Sequence, residues 1–506
     1  MELFTSMNSD NKQKISLISA IALSITASIG SGWLFSAQLI AKAAGNYSFL
    51  AWIFAGVLVI LVSICLSRIV SIYPVRGATT RSSSLSHNNV FGMSFAFANW
   101  FGIMVTIGAE ASATTQYLAS AIKSVSLMNA NGLTLWGKLL AELILLIYLI
   151  INFFGIKIFA KVNNIITIIK IFTPIFVIVI FLVGHFDSRN FSLVTNNIYS
   201  YSSIFPAILG TGLIYSFNGF QIPTAFASEI KNPGRNVLLS MIISITVVTG
   251  IYLLLELAFM GAVPHSMLNH GWASINFHSP LLNLALVLGL GFLSNLIIID
   301  SIISPSGVGY TYLGGASRMF FAMAKAGQMP QWSISKLHPV YKICRRSLII
   351  NFLLTIIVLW NSNNWSSLMI IVTIYHVIGY MAAPISMGAL EPKTRPLGII
   401  VFVVLGILMS TLPQHYLFMT NLSLLIIILI YVTTQIYQAY LNFRNALAFA
   451  APVTIYLWLI YAWHNIYYIV ILSALFYILI TSKSYIKLCK AHDSPNIEFN
   501  SSELND

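Results

Sequence analysis

Long apolar stretches separated by short polar connectors repeat along the chain from residue 15 to residue 482. A helix needs about 20 predominantly apolar residues to cross a ~30 Å hydrocarbon core, and the stretches meet that length. They predict spans near 15–40, 48–67, 91–118, 138–156, 162–183, 203–230, 237–262, 287–324, 347–361, 366–390, 396–412, 416–438, 446–463 and 465–482. The pattern gives fourteen crossings, or twelve if 446–482 forms one re-entrant hairpin. The fold class is all-α and polytopic in either case. Residues 1–14 and 483–506 read as polar, loosely ordered tails. The connection 263–286 has room for a short helix, and its His265, His270 and His278 are not spaced to share one helical face as metal ligands.

Composition narrows the class. Hydrophobic residues make up 58% of the 506 and charged residues only 8%, against about 25% charged in soluble domains, so a soluble fold is excluded. The net charge of +13 does not point to nucleic acid, because the basic residues sit in short connectors and form no stripe. With the N-terminus inside, the external loops hold Lys42, Lys123, Lys138 and Arg189, and Lys170 lies within a span. All other Lys and Arg face the cytoplasm, which places both termini there and the chain in the plasma (inner) membrane. Cys65, Cys344 and Cys489 form no CxxC or similar spacing, and no metal or cofactor is implied.

Two spans are interrupted at their centres, by Gly30-Ser31-Gly32 in the first and by Tyr215-Ser216-Phe217-Asn218-Gly219-Phe220-Gln221 with Pro223 in the sixth. Glycine lowers the cost of unwinding a helix and proline removes a backbone donor. Either site alone fits close helix packing through small residues. The pair, in corresponding positions of two halves, fits a binding site at the membrane midplane. Exposed amides at one half-helix suit an anion and exposed carbonyls at another suit a cation. A zwitterion such as an α-amino acid satisfies both.

At these residues the sequence resembles the amino acid-polyamine-organocation superfamily of permeases. The resemblance rests on Ile29-Gly30-Ser31-Gly32, on Tyr73-Pro74 with Gly77, on Ser216 to Gln221 continuing through Ser228-Glu229-Ile230-Lys231-Asn232-Pro233-Gly234-Arg235, and on the block from Ala316 to Pro330. It implies the LeuT-type fold, a ten-helix core at 15–390 made of two inverted five-helix repeats, about 15–183 and 203–390, followed by additional helices at 391–482. It also implies secondary transport of an amino acid. The GSGWLF and FNGFQ forms, with Asp300 ahead of Ser304-Pro305-Ser306-Gly307, look most like the aspartate-proton symporter branch, and so favour aspartate or glutamate carried with protons. Carried over by position, the resemblance seats the substrate carboxylate on the amides of Ser31 and Gly32, with Gly30 beside them. It directs the ammonium group to carbonyls near Ser28, Tyr215 and Asn218, and Gly219 and Gln221 complete the binding segment. Many relatives have glutamate at the position of Gln221, so a mechanism using an acid there cannot operate in this chain. Glu229, Lys231, Asn232 and Arg235 read as a helix stop with structural ion pairs. The resemblance also makes Lys170 a substitute for a sodium ion, tying span five to spans one and eight near Ser304 and Ser306.

Glu110, Lys170, Glu256, Asp300 and His376 fall inside predicted spans, where ionisable groups are costly and face a cavity or a partner. Glu110 and Asp300 are 190 residues apart, close to the 188 separating the two breaks, and so occupy related places in inverted halves. Proton coupling and structural hydrogen bonding both fit these two acids. Glu256 lies near the outer end of its span, within reach of headgroups, and His376 reads as a packed core residue. Trp33, Phe220 and Tyr117 are candidates to line or gate the cavity. No HExxH, GxSxG or GxxxxGK[ST] motif supports an enzyme or an ATP-driven pump, and no filter-like loop supports a channel. An amine or amino acid exchanger and a non-transporting sensor stand as the alternative readings.

Overall fold

The computed structural model describes residues 14–74, 78–122, 125–153, 156–192, 199–329, 338, 344–438, 441–463 and 465–491, with the backbone alone at 156–165 and 228. The tails at 1–13 and 492–506, the positions of Gly77, Lys123 and Pro330, and the side chains of Lys161 to Asn164 lie outside the described residues.

The first span is two helices, α1 (Leu17–Ser28) and α2 (Gly32–Ala44). Then come α3 (Ser48–Ile72), α4 (Ala78–Ser86), α5 (Asn89–Ala121), α6 (Leu135–Phe153) and α7 (Ile156–Gly184). The sixth span is divided into α8 (Ile204–Gly210), α9 (Leu213–Phe217) and α10 (Ile222–Ala225). It is followed by α11 (Pro233–Ala262), α12 (Pro280–Val287), α13 (Gly291–Lys325), α14 (Arg345–Trp360) and α15 (Trp365–Leu390). The C-terminal set is α16 (Arg395–Ser410), α17 (Gln414–Tyr437), α18 (Phe443–Ala462), α19 (Ile466–Ile480) and α20 (Lys483–Ala491). Several starts are fixed by side-chain caps that accept an otherwise unpaired amide: Ser16 for α1, Asn88 for α5, Asn364 for α15 and Asn465 for α19.

Ten stretches among the described residues are long and apolar enough to cross a membrane, or eleven with the bent pair α19–α20. The first half of the first span and the sixth span give only shorter apolar helices, α2 is counted with α3 as the single stretch Gly32–Ile72, and α14 has 16 residues, so a length criterion counts fewer crossings than the hydrophobic pattern. Apolar side chains such as Phe172, Val183 and Phe292 point outward, where lipid solvates them, while many Ser and Thr side chains are buried.

Helix packing repeats itself between the two halves. Span three (α5) lies on span ten (α15), and span eight (α13) lies on span five (α7). Span five packs on span seven (α11) and span ten on span two (α3). The cross-pairs two–seven, three–eight and four–nine are also in contact. When spans one to five are exchanged for six to ten, the first four relations map onto one another in pairs and the three cross-pairs map onto themselves.

The polar run after span two, outside the predicted spans, forms α4, with Ser82, Ser83 and Ser86 buried. Its serines return their hydroxyls to carbonyls three residues back, Ser82 to Thr79 at 3.2 Å and Ser86 to Ser83 at 3.2 Å, which removes the cost of burying them. The tail expected from 483 begins instead as α20. One side of α20 presents Tyr485, Ile486 and a buried Cys489 to the protein, and Lys483, Lys487 and Lys490 stay exposed. The connection over 263–286 leads into the short helix α12.

Candidate functional site

Both breaks lie where the glycines put them. Ile29 leaves helical geometry at φ −84°, ψ 89°. Asn218 turns at φ −53°, ψ 139°, and Gly219 takes φ +109°, a conformation strained for any residue with a Cβ. The breaks touch each other: a Cβ on Gly219 would lie 2.2 Å from the Ala27 carbonyl carbon, and one on Gly32 2.6 Å from Ser216 Oγ. The Ser28 carbonyl accepts the Tyr252 hydroxyl at 3.4 Å, and the Tyr215 carbonyl accepts the Asn218 amide at 3.0 Å. At the ends of the broken spans, Ile15 N donates to Glu229 O at 2.8 Å and Lys231 N to Ile15 O at 3.0 Å. These two bonds clasp the chain ahead of α1 to the end of the sixth span.

Glu110 reaches from α5 into the first break. Its Oε2 accepts the Ser31 amide at 2.8 Å and its Oε1 accepts the Tyr215 hydroxyl at 2.7 Å. The Ser31 hydroxyl accepts the Trp365 indole N–H at 2.8 Å and lies 3.0 Å from Tyr215 Oη. Gly30 leaves the room this needs, since a Cβ there would stand 2.5 Å from Glu110 Oε1. The amide expected to receive a substrate carboxylate therefore already holds a carboxylate, one that belongs to the protein.

A second polar group surrounds the sixth-span break. Asn218 Nδ2 lies 3.1 Å from His376 Nδ1, and Asn218 Oδ1 accepts the Tyr380 hydroxyl at 2.9 Å. Gln221 Oε1 accepts the Gly219 amide at 3.2 Å. Gln221 Nε2 and His376 Nε2 are buried without a hydrogen-bond partner among the described residues. Phe220 packs edge-on against Tyr380 at 5.3 Å. His376 is thus no isolated core residue, because its ring joins α15 to the break.

Lys170 is fully buried and donates from Nζ to Thr26 O at 2.8 Å, tying α7 to the last turn of α1. Span eight meets it through Gly307, where a Cβ would lie 2.7 Å from Lys170 Cε; Ser306 instead accepts the Tyr148 hydroxyl at 3.2 Å. Glu110 and Asp300 both lie within the electrostatic reach of the ammonium. Ser304, Thr173 and the Trp33 indole approach the Asp300 carboxyl, yet Asp300 Oδ1 and Oδ2, Ser304 Oγ, Thr173 Oγ1 and Trp33 Nε1 are all without a partner in hydrogen-bond geometry among the described residues. Tyr117 donates to Leu34 O at 2.7 Å and stands edge-on to Phe35 at 5.2 Å, bracing α2.

Glu256 does not reach headgroups as its sequence position implied. It is fully buried and accepts the Trp52 indole N–H at 3.4 Å, because that face of α11 packs on α3 and not on lipid. Trp365, His376 and Tyr380 are the site residues that the sequence reading did not assign. They recur at i, i+11 and i+15, one face of a helix with 3.6 residues per turn, and that stripe of polar-tipped rings inside a span is the signal that would have found them.

The family described as amino acid permease matches residues 15–488. The glutamate/serine transporter AimA of Bacillus subtilis is 32% identical over 420 residues, covering 80% of this chain and 77% of that protein. The aspartate-proton symporter of the same organism is 30% identical over 388 residues, covering 76% and 74%. Its serine/threonine exchanger SteT is 24% identical over 339 residues, covering 65% and 73%. With the family match running through both broken spans and the C-terminal helices, the chain belongs to the amino acid permease family.

Proposed function

We infer that the chain is a secondary transporter of the plasma membrane that takes up an acidic amino acid together with protons, with both termini cytoplasmic and the spans of 15–183 and 203–390 acting as inverted repeats. The observation that carries this reading is the Glu110 carboxylate on the Ser31 amide at 2.8 Å. A substrate carboxylate bound at the N-terminus of α2 must displace Glu110, because one amide hydrogen cannot serve two anions well. The displaced carboxylate, still buried, is stable only when neutralised. Taking up a proton does this, so substrate and proton enter together.

The remaining residues support this mechanism. Lys170, Glu110 and Asp300 put one amine and two acids in the buried interior, a set that balances when one acid is protonated. The Lys170 ammonium, held on the Thr26 carbonyl, stands where a sodium ion would otherwise tie the first and fifth spans. Carbonyls at Ser28, Tyr215 and Asn218 face the amino group of the substrate. Gln221 Nε2, buried without a partner among the described residues, offers a donor to a second carboxylate, which favours aspartate or glutamate. The names of two of the relatives agree with that choice.

Uptake of labelled aspartate, glutamate, serine and alanine into proteoliposomes, with and without an inward proton gradient, tests the reading. Gradient-driven accumulation of the acidic substrates is expected. Uptake only against internal amino acid would identify an exchanger, and binding without flux a sensor.

A further inference from the structure

The C-terminal helices carry a charge pattern that the transport site does not use. Between residues 414 and 491 there is no Asp or Glu, and the Lys and Arg there are Arg444, Lys483, Lys487 and Lys490. Arg444 opens α18 and the three lysines lie on α20, all with exposed side chains. The four cations therefore gather at one end of the α18–α19 hairpin, where α20 bends 54° away from α19. The other side of α20 is pinned to the protein: Tyr485 Oη donates to Ala448 O at 3.2 Å and Asn88 Nδ2 to Cys489 O at 3.4 Å.

Between α18 and α19 runs a crevice of about 540 Å³, walled by apolar residues including Leu447, Pro452, Ile455, Leu475 and Leu479, with Arg444 as its one charged residue. Its α18 wall, from Leu447 to Leu459, spans ~18 Å at 1.5 Å per residue, close to one leaflet of a ~30 Å hydrocarbon core. Arg444 and Leu479, the last wall residue before α20, mark the charged end. An apolar slot one leaflet long with cations gathered at a single mouth has the chemistry of a lipid whose headgroup is negative.

We propose that this crevice binds an anionic phospholipid, with an acyl chain between α18 and α19 and the phosphate on Arg444 beside the α20 lysines. Any lipid tail fills the apolar part, and the cations select the charge of the headgroup. The site is linked to the transport core, because Tyr477 of α19 donates to Pro384 O at 3.1 Å on α15, the helix that carries His376 and Tyr380. Bound lipid thus braces the element that lines the second break.

The test uses the purified full chain, delipidated in neutral detergent, and reads its thermal unfolding midpoint and its retained lipid by native mass spectrometry. Dioleoyl phosphatidylglycerol is compared with dioleoyl phosphatidylcholine and with inorganic phosphate. A saturable upward shift of several degrees with phosphatidylglycerol alone is expected, with one retained lipid, and both are lost in Arg444→Ala and in Leu475→Trp, which fills the slot. Equal shifts with both lipids, a shift with phosphate alone, or a phosphatidylglycerol response that survives in the folded variants overturns the proposal. Self-association through this face without any lipid response assigns the crevice to a second copy and overturns it equally.

Discussion

Glu110 and Ser31 lie 79 residues apart in sequence and share one hydrogen bond of 2.8 Å, from the Ser31 amide to Glu110 Oε2. The first break is therefore not an open anion site, and the proposed carboxylate placement requires its occupant to leave. Glu110→Gln keeps the shape and the acceptor oxygen and removes the charge. Wild-type aspartate accumulation should rise as external pH falls, since the carboxylate must gain a proton. In Glu110→Gln it should be flat with pH and lower by at least about tenfold, ~1.4 kcal/mol of lost coupling, while counterflow exchange persists. A gradient response equal to wild type would remove Glu110 from coupling.

Gly32 meets Ser216 too closely to accept a side chain, the built Cβ falling 2.9 Å from Ser216 Cα as well. Gly32→Val should abolish substrate binding by isothermal calorimetry, and normal transport at equal expression would disprove the carboxylate placement. Ser31→Ala keeps the amide but leaves the Trp365 indole N–H without its acceptor, at a cost of ~1–3 kcal/mol for a buried unsatisfied donor. A lowered melting temperature with largely preserved affinity is the expected pair of results.

Lys170→Ala removes the ammonium from the Thr26 carbonyl, and proton-driven accumulation should disappear while some substrate binding survives. Gly307→Ala offers an independent check. Its added methyl falls 2.8 Å from Lys170 Nζ, so it should displace the amine and weaken accumulation in the same sense without changing any charge. Full accumulation by well-expressed Lys170→Ala would shift the coupling role to the two acids.

Asp300 and its three neighbours are five buried polar atoms without partners, an arrangement suited to ordered water. Asp300→Asn should change the pH dependence of uptake and leave the KM for aspartate under exchange conditions nearly constant. A change in KM with an unaltered pH profile would mark Asp300 as a substrate contact instead.

The hydrophobic pattern was enough to locate the broken spans because glycine at 30, 32 and 219 has a local cause, unwinding, that needs no knowledge of neighbours. Glu110 and Lys170 were visible for the same reason, as charges in apolar runs. Their partners were not. That Glu110 would take the Ser31 amide, or that His376 would meet Asn218, depends on where α5 and α15 cross the breaks, and helix crossing is set by side-chain packing spread over many residues. Glu256 was misplaced because depth along a span can be counted from sequence, whereas the direction a side chain faces cannot when the span is apolar on every side. α4 lay outside the predicted spans because it is polar, and the bonds by which Ser82 and Ser86 satisfy themselves within the helix are not revealed by composition.

The clasp at Ile15 has a mechanical consequence. Without it, the lead into α1 and the tail of the sixth span would swing on separate pivots, one at each break. Two backbone bonds in register with Glu229 and Lys231 join them into a single rigid link, and the number of independent swings falls from two to one. Under the proposed transport reading, a gate with one degree of freedom would have no half-turned position in which only one break has moved. Leakage through a partly opened pathway would then be opposed by connectivity itself, and not only by the contacts around the substrate.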